Sequence, residues 1–171
     1  MVAEKFLKKG AGILQEAQAI DTSAGASSAG KIACLDEDGR FNENMMPAGV
    51  SAETQVCKAG VGGLAANDVV YIHLVTVTLT ADKADATDAT KRAQAYVKDT
   101  VEAGADVTVY LDGELPGTSL TPGAKYYLTT TPGTVSTTAP SGSGNMVQCV
   151  GEASSETAIK FDPDKIPIVL V

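Results

Sequence analysis

The residues able to do chemistry are few and scattered. A single histidine, His73, sits in the middle of Val69–Thr80 (VVYIHLVTVTLT) and shares a side of that run with Tyr71 and Val75. A histidine becomes a general base when a carboxylate orients it and a nucleophile lies within reach. No Asp or Glu stands close to His73 in sequence, so a structural role is expected. The run Asp36-Glu37-Asp38 invites a calcium loop, but such a loop needs alternating oxygen ligands around a central Gly and a Glu at its end. Gly39 comes too early for that spacing, and a solvated turn is expected. Asp82, Asp85 and Asp88 are spaced by three and would share one side of a helical turn. Their alternation with Lys83, Lys91 and Arg92 reads as a salted surface rather than a metal site. Asp99, Asp106, Asp112 and Glu114 fall near strand ends, and a glycosidase needs two carboxylates about 5–10 Å apart across a cleft. Carboxylates are common in turns, however, and Asp112-Gly113 is itself a turn signal. Gly60-Val61-Gly62-Gly63 leads into Leu-Ala-Ala and a strand, where a dinucleotide loop would open a helix. Cys34, Cys57 and Cys149 are odd in number and irregular in spacing, which forms neither a disulfide framework nor a metal knuckle. They read as small buried hydrophobes, reduced if the chain assembles in a cytoplasm. The expectation is a chain without catalytic, metal or cofactor sites, whose work is contact.

The elements that would position these residues are mostly short strands. Ser119–Val147 (SLTPGAKYYLTTTPGTVSTTAPSGSGNMV) holds turns at Pro122-Gly123 and Pro132-Gly133, with the runs Tyr126–Leu128 and Thr134–Thr138 between them. Pro sets φ and Gly accepts the positive φ that follows, so this stretch reads as an antiparallel meander. Val69–Thr80 is the longest β-like run, apolar on both sides at its start and Thr-rich on one side later. That pattern predicts a strand covered twice at its beginning and wetted on one side at its end. Further short strands are expected at Lys31–Leu35, Thr54–Lys58, Ala93–Asp99, Asp106–Leu111, Asn145–Gly151, Thr157–Phe161 and Ile166–Val171. Ala81–Arg92 (ADKADATDATKR) reads as a surface loop or one helical turn. The apolar IPIVLV segment is expected to close a sheet edge or dock on a partner.

Residues 1–30 read as an arm. Ala3–Lys9 would form a helical turn or two before Gly10 and Gly12 interrupt it, Ile13–Ile20 is compatible with strand or helix, and Asp21–Gly30 reads as a loop or extended linker. Residues 31–56 form a base with a short strand and the loop Asn44–Gly49, whose adjacent Met45 and Met46 suit core filling or an adaptable contact. Residues 57–171 form the β-rich body. The fold class is mainly β: an antiparallel β-barrel or β-sandwich of short strands with an extended N-terminal arm.

One arrangement occurs three times. Leu64, Val101 and Leu120 each stand three residues before Asn67, Gly104 or Gly123, and those stand three residues before Val70, Val107 or Tyr126. The reading is an apolar anchor, a residue tolerant of positive φ, then a strand whose first side chain points inward.

Composition narrows the partners. The 171 residues carry a net charge of -8, only 5% aromatic residues and no Trp. That charge repels phosphate backbones and anionic lipid heads, and the low aromatic content weakens a base- or sugar-stacking role. Lys5, Lys8 and Lys9 make the one basic group. There is no signal-peptide pattern or run of transmembrane length, so a soluble chain made in the cytoplasm is expected, with neither nucleic acid nor membrane as partner.

Taken in order, Thr22–Val50 (TSAGASSAGKIACLDEDGRFNENMMPAGV), Val101–Gly117 (VEAGADVTVYLDGELPG), Leu120–Ala153 and Lys160–Val171 (KFDPDKIPIVLV) resemble a family of tailed-bacteriophage virion proteins. Its members are head decoration (cement) proteins or fibre-like structural proteins. The most specific pieces are LTPG-x-x-YYL and the downstream T-x-x-P-x-G-x-G-x-x-V-Q-x-x-G. The resemblance implies a non-enzymatic homotrimer bound to the major capsid protein on the outer surface of the head, made in the host bacterial cytoplasm. The alternative it implies is a tail-fibre or spike module that binds a host surface. Carried onto this chain, it makes Thr22, Ser23, Ala24 and Gly25, with Met45, Met46 and Pro47, the candidates for shell or intersubunit contact. Asp112, Glu114, Asp164 and the three cysteines depart from the family pattern without disturbing the expected core.

Overall fold

The computed structural model describes residues 5–10, 12–35, 37, 39–42, 45–46 and 53–171. Its contacts divide the chain into two compact units, Met1–Ser51 and Ala52–Val171. The expectations placed on Asp36, Asp38, Asn44 and residues 47–50 lie outside the described residues.

The first unit opens with β1 (Lys5–Gly10) and β2 (Ile13–Gln18), an antiparallel hairpin in the register Lys5↔Gln18 to Gly10↔Ile13. The helical turn expected over Ala3–Lys9 is therefore corrected to strand over its described residues, from Lys5 onward. Lys5, Leu7 and Lys9 alternate with Phe6 and Lys8, a period of two, and Gly12 at φ 84 supplies the positive φ a two-residue connection requires. The expected strand Lys31–Leu35 is reduced to one parallel bridge, Ile20↔Ala33, closed by Ile20 N–H to Ile32 O and Cys34 N–H to Ile20 O, both 2.9 Å. That bridge ties off the intervening residues, which wind through a 3-10 turn at Gly25–Ser28.

The second unit holds a closed barrel and a five-stranded sheet. The barrel strands are β3 (Thr54–Ala59), β4 (Val69–Val75), β5 (Thr78–Lys83), β6 (Ala95–Val97) and β7 (Asp106–Tyr110), in the order β3-β5-β4-β6-β7. All pairings are antiparallel except β3 with β5, which is parallel and short: Lys58↔Thr80 and Ala59↔Ala81. The sheet contains β8 (Gly113–Pro116), β9 (Lys125–Leu128), β10 (Val135–Ser136), β12 (Cys149–Ala153) and β13 (Ala158–Phe161), in the order β10-β9-β12-β13-β8. A separate ladder joins β11 (Met146–Val147) to β14 (Ile168–Val169). The mainly β class with a barrel is thus the observed fold.

Two cores follow from the period of two. Val70, Ala95, Val97, Val107 and Val109 point into the barrel with Cys57 and Leu64. Their strand neighbours Val69 and Tyr96 point the other way, into a core shared with Leu115, Leu128, Met146, Val150, Ile159 and Phe161. Val69 and Val70 are both fully buried, as expected for a strand start covered on both faces.

The single run expected over Val69–Thr80 is instead a hairpin. β4 ends at Val75, the chain reverses at Thr76-Val77, and β5 returns in the register Val75↔Thr78 to Val70↔Lys83. Thr76 takes φ 59, a conformation that a β-branched residue rarely adopts, so the sequence gives no turn signal there. Of the loop or helical turn expected over Ala81–Arg92, the loop is what forms beyond Lys83, and the first three residues belong to β5. Ala81, Ala84 and Ala86 are fully buried, so the first half of the segment contributes to the core, where alanine's small side chain lets its backbone pass close to the sheet. Thr87, Ala89, Thr90 and Arg92 stay exposed. The threefold arrangement is realised as tight turns. Ala65 O, Glu102 O and Thr121 O accept from the N–H three residues on, at 3.1, 3.2 and 3.0 Å. Asn67, Gly104 and Gly123 hold the third position at φ 70, 79 and 78, the sign a type II turn requires. Val70, Val107 and Tyr126 are buried three residues later. Leu64 and Val101, two of the anchors, pair with each other in an isolated bridge.

Candidate contact surfaces and a polar groove

Thr22, Ser23, Ala24 and Gly25 lie together at the tip of the tied-off loop of the first unit. Thr22, Ala24 and Gly25 are exposed and Ser23 is half-buried. The loop is held by its own hydroxyls: Ala24 N–H donates to Ser28 Oγ at 2.8 Å, Gly25 N–H to Ser23 Oγ at 3.2 Å, and Ser27 Oγ to Ala24 O at 2.9 Å. Gly25 takes φ 64. Met45 is half-buried, its N–H bonded to Asn42 O at 2.9 Å, and Met46 is exposed. Pro47 lies outside the described residues.

Sequence reasoning missed a larger feature of this unit, its lack of cover for its own apolar side chains. Phe6, Leu7, Ile13, Leu14, Ile32, Leu35, Phe41 and Met46 are all exposed, Leu7 and Leu14 at 71% and 70%, while Ala19 is the one buried hydrophobic residue among its described residues. On one face of the hairpin Leu7 and Leu14 sit on diagonal positions beside Lys9 and the Lys5–Glu16 ion pair, 2.8 Å long. A two-stranded hairpin is marginal in water without a third layer. The signal in the sequence was the alternation KFLKKG, whose apolar members fall on both faces.

The second unit exposes two more apolar patches. Leu74, Val75 and Val77 project at the tip of the β4–β5 hairpin, and Ile166, Ile168, Val169 and Val171 along the last segment. The IPIVLV segment pairs with β11 through Ile168 and Val169, closing an edge while leaving those side chains exposed.

Part of the set singled out for chemistry, His73 with Tyr71, Asp82 and Asp85, comes together at one place. The β4–β5 hairpin sets Tyr71 opposite Asp82, and Asp82 reaches diagonally to His73, its Oδ2 lying 2.8 Å from the ring Nε2. Tyr71 stacks on His73 with ring centroids 4.8 Å apart. Folding thus supplies the carboxylate that the sequence does not place near His73. Gly60 permits this, because a side chain there would collide with the Asp82 carboxylate. Burial, then the Asp82 charge, pushes the Tyr71 phenol up, with Lys91 opposing and Asp88 adding. The pair borders an open groove of about 390 Å³ lined by Val61, Gly62, Gly63, Tyr71, Asp82, Lys83, Asp85, Lys91 and Pro132. Lys83 pairs with Asp68 at 3.0 Å and Lys91 with Asp88 at 3.6 Å. Asp85 and Asp88 cap their own turns by accepting from Thr87 and Thr90; the Thr90 bonds hold the Asp88 carboxyl below its usual range.

The remaining candidates stay apart. Asp106 pairs with Lys58 at 2.9 Å, Asp112 accepts from Glu53 N–H, and Glu114 accepts from Ser154 Oγ at 3.3 Å. Among the described residues no three His, Cys, Asp or Glu side chains converge as metal ligands, and no helix is long and apolar enough to cross a membrane. Cys57 is buried, which raises its thiol pKa, and Cys34 and Cys149 are half-buried; all three are free thiols. Compared with protein-family models, curated proteins and solved structures, the chain gives no significant match.

Proposed function

We propose that the chain is a non-enzymatic structural component of a tailed-phage virion, a homotrimer that binds the outer surface of the capsid and stabilises contacts between coat subunits. The observation that carries this reading is the first unit. Its described apolar residues lie on a hairpin and a small loop that bury almost nothing apolar, so the unit needs cover from outside itself, which this reading assigns to another molecule. The resemblance of Thr22–Val50 and the three later stretches to decoration or fibre-like virion proteins supports taking that molecule to be the coat and neighbouring copies of this chain. Threefold symmetry then multiplies each weak grip: once one foot binds, the others act at high effective concentration. The acidic surface keeps the protein from nucleic acid during assembly.

The test is to mix the purified chain with undecorated heads and image the particles with a labelled chain. Density on the head in threefold clusters is expected. Label confined to the tail would move the protein to the fibre or spike class, and a monomer that binds neither would end the proposal. Replacing Leu7 and Leu14 together with Ser should weaken head binding by about tenfold or more, as expected for losing two buried side chains, while thermal unfolding of the second unit stays unchanged.

A further inference from the structure

We infer that the groove beside the His73–Asp82 pair is a saccharide-binding site, a function beyond the capsid role and independent of it. The groove's volume, about 390 Å³, is that of a small-ligand pocket. Its lining includes the glycine-rich turn Val61-Gly62-Gly63, Pro132 and, as the sole aromatic residue, Tyr71. Tyr71 is rigidly backed: His73 stacks on it at 4.8 Å, and Asp82 holds His73 at 2.8 Å. An aromatic ring fixed before binding loses little entropy when a ligand ring packs on it.

The rim selects the ligand by elimination. An anion would meet Asp82 and Asp85 on the same lining, and the charges of Lys83 and Lys91 are already offset by Asp68 and Asp88. A metal cation would need converging ligands, and no such group of three exists among the described residues. A purely apolar ligand would strand the two lysines and two aspartates that line the groove. A neutral polyhydroxylated ring satisfies all of them. Its C–H face lies against Tyr71, and its hydroxyls donate to Asp82 and Asp85 and accept from Lys83 and Lys91. Asp85 is already held in place by Thr87, whose N–H and hydroxyl donate to its Oδ1 at 2.9 and 2.8 Å, leaving its second oxygen for the ligand.

The test uses the intact chain and saturation-transfer NMR with maltotetraose, cellotetraose and chitotetraose, each at about 5 mM, a concentration suited to millimolar affinities. Transfer to the ring protons of at least one of them is expected, weakened about tenfold in Tyr71→Ala and about threefold in Asp85→Asn, and unchanged in Lys125→Ala on the far sheet. Asp85→Asn keeps the turn cap and so reports on the groove even if Tyr71→Ala fails to fold. Absence of transfer from all three sugars overturns the inference. So does transfer that survives both groove variants, and so does inorganic phosphate shifting the groove resonances more strongly than any sugar.

Discussion

Tyr96 and Gln148 are both fully buried polar side chains, and they are satisfied to opposite degrees. Gln148 Oε1 accepts from Ala93 N–H at 2.8 Å, while its Nε2 donates to Ala93 O and Asp164 O, both at 2.9 Å. One side chain thereby replaces a missing length of ladder. Gln148→Leu would strand those backbone groups and should cost about 2–4 kcal/mol by denaturant titration. Tyr96 packs on Tyr110 and Phe161 at centroid distances of 5.4 and 5.0 Å, but among the described residues its hydroxyl has no hydrogen-bond partner. Tyr96→Phe should therefore leave stability unchanged or raise it by about 1 kcal/mol. Burial, with smaller contributions from Tyr110, Asp112 and Glu114, pushes the Tyr96 phenol up to about 12. An unfolded tyrosine ionises near pH 10. Between roughly pH 10 and 12 the unfolded chain has released this proton and the folded chain keeps it, so stability falls as pH rises through that window. Below it the contribution is whole. In Tyr96→Phe the alkaline loss of stability should be shallower, and titration at 295 nm should lose its latest-ionising phenol.

At the scale of elements, the turns determine which strands can pair. Thr76 at φ 59 carries a backbone cost of roughly 1 kcal/mol or more for a β-branched residue. Thr76→Gly should recover about 1 kcal/mol, seen as a higher unfolding midpoint with unchanged slope. Gly151 is the reverse case. It sits where the β9–β12 register shifts, between Cys149 and Gly151, and a Cβ there would collide with the backbone oxygen of Lys160. Gly151→Ala should cost about 1–3 kcal/mol as overpacking, and hydrogen exchange should show the loss first in β12 and β13.

At the scale of the molecule, the two units differ in how they meet water. Residues 52–171 bury two cores, whereas the described residues of the first unit bury almost nothing apolar. Hydrogen exchange on the free chain should be fast throughout β1 and β2 and slow in β4, β6 and β7. On undecorated heads, the hairpin amides should gain protection while those of the barrel do not change. Protection of the barrel alone would place the contact at Leu74, Val75 and Val77 instead.

The sequence by itself determined the β class, the tight turns at Asn67, Gly104 and Gly123, and the inward positions that follow them. These depend on φ preferences and on a period of two, both of which act within a few residues. Only the tertiary structure decided that Val69–Lys83 folds back on itself, that β3 closes the barrel in parallel with β5, and that Asp82 meets His73. It also decided that three alanines of a polar stretch, Ala81, Ala84 and Ala86, are core. Those outcomes depend on which strand lies alongside which, and on how closely small side chains let backbones approach. Neither is a property of neighbours in the chain.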